Sequence, residues 1–169
     1  MPVQRLNHAV LYVRDVARSV DFYREALGFR VVMEMPGAAF LQAAGSSNDH
    51  DLGLFQIGAQ AGPTTAGRTS VGLYHLAWEV DTLDELQRVA AKLGELGALV
   101  GASDHSTTKA LYAKDPDGLE FEVSWLLPAA LIDDAVRAGR ASIRPLDLAK
   151  DIERYGGRTP GGIGVSVPV

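Results

Sequence analysis

At 169 residues the chain is long enough for one domain, or two small modules sharing one core, and can bury that core without a disulfide or metal staple. Hydrophobic residues at 47%, charged residues at 22% and a net charge of −5 describe a globular protein with no electrostatic reason to bind nucleic acid or an anionic membrane, and no apolar stretch approaches the ~20 residues of a membrane span. The first residues lack the plan of a signal peptide, so a cytoplasmic location is expected, and the absence of cysteine excludes thiolate nucleophiles and Cys-ligated metals and leaves only His, Asp and Glu to hold one.

Leu6–Val13 reads as a strand from its β-branched and aromatic content. Asp15 is the expected N-cap of a helix carrying Val16, Val20, Tyr23 and Leu27 on one face and ending at Gly28. Leu27–Val31 then turns into another strand, and Phe40–Ala43 and Leu52–Ile57 read as two more. Gly58–Ser70 is a Gly/Thr/Ala-rich linker. Beyond it the plan repeats. Leu73–Val80 aligns with Leu6–Val13 without a gap, 67 residues later, and Thr82 with Glu85 forms a capping-box pattern. The stripe Leu83, Leu86, Ala90 and Leu93 follows, and Gly97 closes the helix. Lys109–Lys114 and Leu119–Trp125 read as strands joined through Asp115-Pro116-Asp117-Gly118, a strong β-turn signature.

The fold class is therefore α+β: two βαβββ modules, residues 4–58 and 71–126, joined by a linker at 59–70 and paired into a curved, barrel-like cup. Residues 127–169 form an extension with helical segments at Ala129–Gly139 and Leu146–Tyr155, then a Gly-rich tail from Gly156 expected to be loose. The extension is expected to pack over a sheet or a dimer neighbour.

The chain has four histidines, and His8 and His75 occupy equivalent positions of the two copies. Strand alternation places Phe121, Val123 and Trp125 under the helix and sends Glu122 to the opposite face, with the two imidazoles. Two imidazoles and one carboxylate converging in a cup make a divalent-metal site with open coordination positions. Taken singly, each histidine is equally well read as a hydrogen-bonded interior residue. Val10, Tyr12, Phe40, Phe55, Ala77 and Val100 are expected to line the cup and favour an apolar or aromatic substrate.

These segments resemble the vicinal oxygen chelate superfamily, which includes glyoxalase I, antibiotic-resistance proteins and type I extradiol dioxygenases. The resemblance spans roughly Leu6–Trp125 and is carried by Leu6-Asn7-His8, by Asp15 with Phe22–Phe29, and by Asp115–Glu122. It implies His8, His75 and Glu122 as metal ligands. In glyoxalase I-like members a fourth ligand, a carboxylate, lies on the last strand of the first module. The 67-residue offset carries Glu122 back to Phe55, between Leu54 and Gln56, which favours three protein ligands. Asp104–Tyr112 is similar to the dioxygenase segment whose His and Tyr line the iron site, which implies donor roles for His105 and Tyr112. Ser106 and Thr107 depart from that pattern, which more often has Gly and a small apolar residue there.

Asn48–Leu54 is similar to the strand that carries a proton-transfer His, which implies that role for His50. The function so implied is a metal-dependent extradiol ring-cleaving dioxygenase, using Fe(II) or Mn(II), acting on a catechol-type aromatic with O2, as a homodimer. Two alternatives stand beside it. One is a non-oxidative metalloenzyme of the same superfamily, a glyoxalase-like lyase or isomerase or an antibiotic-modifying enzyme. The other is a metal-free small-molecule binding protein.

Overall fold

A computed structural model of the chain describes all residues except 1, 4, 68, 163, 164 and 167–169. It divides into two compact units. The first runs to Thr65 and includes Asp115–Gly118; the second comprises Ala66–Lys114 and the chain from Leu119 onward.

In the first unit, β1 (Ala9–Val13), α1 (Val16–Leu27), β2 (Arg30–Met35), β3 (Ala38–Gln42) and β4 (Leu52–Gln56) build one mixed sheet in the order β1-β4-β3-β2. The Asp15 carboxylate caps α1 by accepting from the Arg18 backbone N–H at 3.1 Å, and Gly28 ends the helix at φ 72°. The buried face of α1 is Ser19, Val20, Tyr23 and Ala26, so the stripe lies slightly round from the expected Val16 and Leu27. Two small residues let the helix sit close to Leu52 and Leu54, both fully buried.

The Tyr23 hydroxyl donates to the Asp115 carboxylate at 3.3 Å inside this core. Burial first, and then the adjacent Asp115 charge, push the phenol well above the ordinary tyrosine range. A group protonated more tightly in the folded state contributes stability that is complete below the unfolded value of about 10 and is lost as pH rises beyond it. Urea unfolding from about pH 9 to 12 should therefore show a loss of stability that Tyr23→Phe abolishes. An unchanged alkaline slope in Tyr23→Phe would assign the loss to other groups.

In the second unit, β5 (Leu76–Glu79), α2 (Leu83–Glu95), β6 (Leu99–Asp104), β7 (Thr108–Lys114) and β8 (Glu120–Leu126) repeat the plan in the order β5-β8-β7-β6. Thr82 Oγ1 accepts from the Glu85 N–H at 3.3 Å, which realises the expected cap, while the Glu85 carboxylate pairs with Arg88. Val89, not Ala90, completes the buried stripe with Leu83, Leu86 and Leu93. Gly118 takes φ 83° and donates to the Asp115 carbonyl at 2.9 Å, closing the predicted β-turn. Phe121, Val123 and Trp125 are buried as alternation requires.

The extension contributes a 3-10 turn (Ala129–Leu131), α3 (Asp134–Gly139) and α4 (Leu148–Tyr155), all within the second unit. The expected looseness from Gly156 does not hold over the described residues. The Gly161 N–H donates to the Asp81 carbonyl at 2.8 Å, Trp125 Nε1 to the Thr159 carbonyl at 3.3 Å, and Ser166 Oγ to the Leu126 carbonyl at 3.0 Å. A Cβ on Gly161 would collide with the Leu126 carbonyl, and one on Gly157 with the Asp84 carboxylate. Glycine here permits close approach rather than freedom. Residues 163, 164 and 167–169, for which the same looseness is expected, lie outside the described residues. No helix among the described residues is long and apolar enough to cross a membrane.

Candidate metal and substrate site

His8 and His75 each stand one residue before their strands, which begin at Ala9 and Leu76, three residues later than the sequence pattern suggests. Pairing decides this. β1 runs parallel to β4, whose first residue Leu52 is the partner of Ala9, so nothing upstream has a ladder to join. The Ala9 N–H donates to the Asp51 carbonyl at 2.9 Å and anchors the chain just after His8.

In the first unit the His8 and His50 rings lie 4.6 Å apart, and Phe40 meets the His50 ring edge-on at 5.1 Å. His8 Nδ1 pairs with Asn7 Oδ1 at 2.8 Å, and His50 Nδ1 with Asp49 Oδ2 at 2.9 Å. The loop before β4 is tied internally. The Asp51 carboxylate accepts from Ser46 Oγ at 2.8 Å, Asn48 Nδ2 at 2.7 Å and the Ala43 N–H at 2.9 Å. His50 is thus held by a structured loop, and two histidines 42 residues apart in sequence become neighbours.

In the second unit His75 Nε2 faces Glu122 Oε2 at 3.3 Å. His75 Nδ1 is buried and has no hydrogen-bond partner among the described residues. The His75 and Tyr112 rings are 6.0 Å apart. The Tyr112 hydroxyl lies 3.1 Å from His105 Nε2 and 3.2 Å from Ser103 Oγ, which is itself 2.8 Å from His105 Nε2. Cross-strand register explains the grouping: Tyr112 on β7 is opposite Glu122 on β8, which is opposite Ala77 on β5. Ser103 carried no signal in the sequence, since a serine at a strand end is uninformative until its neighbours are known.

Among the described residues no three His, Asp or Glu side chains stand grouped as a metal-holding cluster. An imidazole nitrogen opposite a carboxylate oxygen, on a half-buried pair, suits a divalent cation, so the donor set fits such a group. The sheet faces away from the helices are open in the chain: Val10 is 52%, Tyr12 71% and Val100 55% exposed.

Register also corrects the equivalence drawn from the 67-residue offset. Val10 pairs with Gly53 where Ala77 pairs with Glu122, and Tyr12 pairs with Phe55 where Glu79 pairs with Ser124. Gly53, not Phe55, is therefore the counterpart of Glu122, because the two copies differ by two residues between first and last strands. The position still supplies no carboxylate. A Cβ there would touch Val10 and Phe40 in ordinary van der Waals contact.

Lys109 is a buried charge that alternation alone assigned to a strand and nothing more. It is 2% exposed, with Nζ 2.6 Å from Asp104 Oδ1 and 3.2 Å from Asp151 Oδ1. Burial works to raise the Asp104 carboxyl, but hydrogen bonds from Lys109 and the Ser106 N–H, with the Lys109 and Arg144 charges, hold it below the usual range. Burial pushes Asp151 up despite Lys109.

Two mixed sheets of the same strand order, each with its helix and with a histidine one residue before its first strand, repeat one βαβββ plan. Residues 5–123 match the Glyoxalase/Bleomycin resistance protein/Dioxygenase superfamily, and the chain belongs to it. Members of this superfamily bind divalent metals.

The chain is 33% identical over 118 residues to a catechol-2,3-dioxygenase of Bacillus subtilis, covering 70% of this chain and 40% of that protein. It is 29% identical over 122 residues to a lactoylglutathione lyase of Neisseria meningitidis, covering 70% of this chain and 88% of that one. The chain thus spans less than half the length of the dioxygenase relative. The glyoxylase/bleomycin resistance protein/dioxygenase domain from Frankia sp. EAN1pec shares the fold, with TM-score 0.59 at 21% identity over 73% of this chain and 92% of that one.

Proposed function

We propose that the chain is a metal-dependent extradiol dioxygenase that cleaves a catechol-type aromatic with O2, with Fe(II) or Mn(II) held by His8, His75 and Glu122. The observation that carries this reading is the Tyr112–His105–Ser103 cluster beside the His75–Glu122 pair. A site that only held a metal would need none of these three polar groups. When bound, such a metal supplies Lewis-acid activation of the diol and a binding position for O2.

The chain's own residues handle orientation and protons. His50 Nδ1 lies 2.9 Å from Asp49 Oδ2, and in the tautomer that donates to this carboxylate Nε2 is the acceptor, the state a base for a catechol hydroxyl requires. Tyr112 and His105 present hydrogen bonds to a substrate oxygen as charge develops on it. Phe40 and Phe55, 5.8 Å apart and edge-on, give an aromatic ring a surface to pack against.

The test is oxygen uptake by anaerobically Fe(II)-loaded protein across catechols of increasing size. Stoichiometric uptake with a coloured ring-fission product is expected; no uptake at full iron occupancy would overturn the reading. Tyr112→Phe should lower kcat by ~10²-fold, the cost of losing one preorganised donor, while leaving the melting temperature unchanged. Steady-state kinetics beside a thermal melt checks this, and an unaltered kcat would remove Tyr112 from the reaction.

A second reading, a non-oxidative metalloenzyme, is favoured by one observation: the chain matches nearly the whole length of the lactoylglutathione lyase. It requires activity with several divalent metals and no oxygen consumption. Glycine at position 53 weighs against the four-ligand form of that chemistry.

A further inference from the structure

His105 sits in the turn between β6 and β7, where its N–H donates to the Thr108 carbonyl at 2.9 Å and its carbonyl accepts from the Thr107 N–H at 2.9 Å. The next residue, Ser106, has φ 70° and is the one non-glycine residue with positive φ among those described. Glycine adopts that conformation freely and serine does not, so a serine retained there points to something its side chain supplies. Its hydroxyl donates to the Val136 carbonyl of α3 at 2.7 Å, and the residue is 3% exposed. Gly139 leaves room for it: a Cβ at 139 would stand 2.7 Å from Ser106 Oγ.

The other side of His105 is held by the same extension. Asp104 forms a two-way backbone bridge with Arg144, at 2.8 and 3.0 Å, and its carboxylate accepts from the Arg144 guanidinium at 3.1 Å and from the Ser106 N–H at 2.7 Å. Lys109 joins Asp104 to Asp151 of α4. The extension therefore grips both neighbours of His105 while the imidazole reaches Ser103 and Tyr112. This also accounts for Ser106 where the dioxygenase-like pattern more often has glycine.

We propose that the C-terminal extension, acting through Ser106, is the positioning element that aims His105 at Tyr112. The proposal rests on the reading of His105 and Tyr112 as the donors that face substrate. Ser106 is a positioning residue that touches neither substrate nor metal.

The test is side-chain imidazole NMR of the metal-free, full-length chain, with His105 assigned by His105→Gln. Ser106→Gly keeps the turn accessible and deletes only the hydroxyl. Its His105 resonances should move toward those of a free imidazole, with the contact to Tyr112 lost, while His8, His50 and His75 keep theirs. Arg144→Ala, at a half-exposed guanidinium, should produce a smaller movement in the same direction, and it decides the matter if Ser106→Gly does not fold.

Unchanged His105 resonances would overturn the proposal, and so would a concerted shift of all four histidines, which reports general loosening. In loaded protein that turns over, Ser106→Gly should lower kcat ~10-fold with KM little changed. A selective His105 shift in a protein whose wild type consumes no oxygen would leave the positioning role standing and overturn the dioxygenase reading alone.

Discussion

Glu122→Ala is expected to abolish stoichiometric metal binding and to lower turnover by about 10²–10³-fold or more, the scale on which a single preorganised electrostatic stabiliser acts. The carboxylate faces His75 at 3.3 Å, and no carboxylate stands at the matching position of the first module. Its contribution to folding is small by comparison, since a partly exposed ion pair is worth about 0–1 kcal/mol. Activity and metal content should therefore fall together while the metal-free melting temperature holds. Bound metal measured on the purified variant decides this. Full occupancy in Glu122→Ala would show that the ion is held elsewhere.

Trp125→Ala should cost about 3–5 kcal/mol, the range for truncating a large core aromatic. Trp125 is fully buried in the second unit, on the helix-covered face of β8 with Phe121 and Val123. Its ring also lies 6.1 Å from that of Tyr155, and its Nε1 donates to the Thr159 carbonyl, so one side chain serves both the sheet core and the extension. At about 2–4 °C per kcal/mol for a chain of this size, the melting temperature should drop by roughly 10 °C. Trp125→Phe, which fills most of the volume but cannot donate, should fall between. A loss below about 1 kcal/mol in urea unfolding would mean that the extension closes over the gap.

Much of the plan is legible from periodicity and turn chemistry because both act locally. Asp15 and Thr82 cap the helices they precede, and Asp115–Gly118 turns, since each motif satisfies its own backbone groups within a few residues. Phe121, Val123 and Trp125 alternate with Glu122 because a strand has only two faces. Where the pattern misleads, the deciding partner is distant in sequence. Gly53 rather than Phe55 answers to Glu122 because parallel pairing of β1 with β4 fixes the register, and a constant offset cannot detect a two-residue difference in the loops. The glycines after Tyr155 read as freedom from composition, yet they let backbone approach Asp84 and Leu126 more closely than any side chain would permit.

The sequence by itself determined the two-module plan and the family, and it singled out His8, His75 and Glu122 as the proposed ligands, because repetition and strand alternation are properties of the chain alone. Only the tertiary structure brought His50 against His8, set Ser103 with Tyr112 and His105, and buried Lys109 between Asp104 and Asp151. Lysine 109 and aspartate 151 lie 42 residues apart, and nothing local distinguishes a lysine that ends buried from one that stays in water. Burying that charge is tolerable only because folding delivers two carboxylates to it.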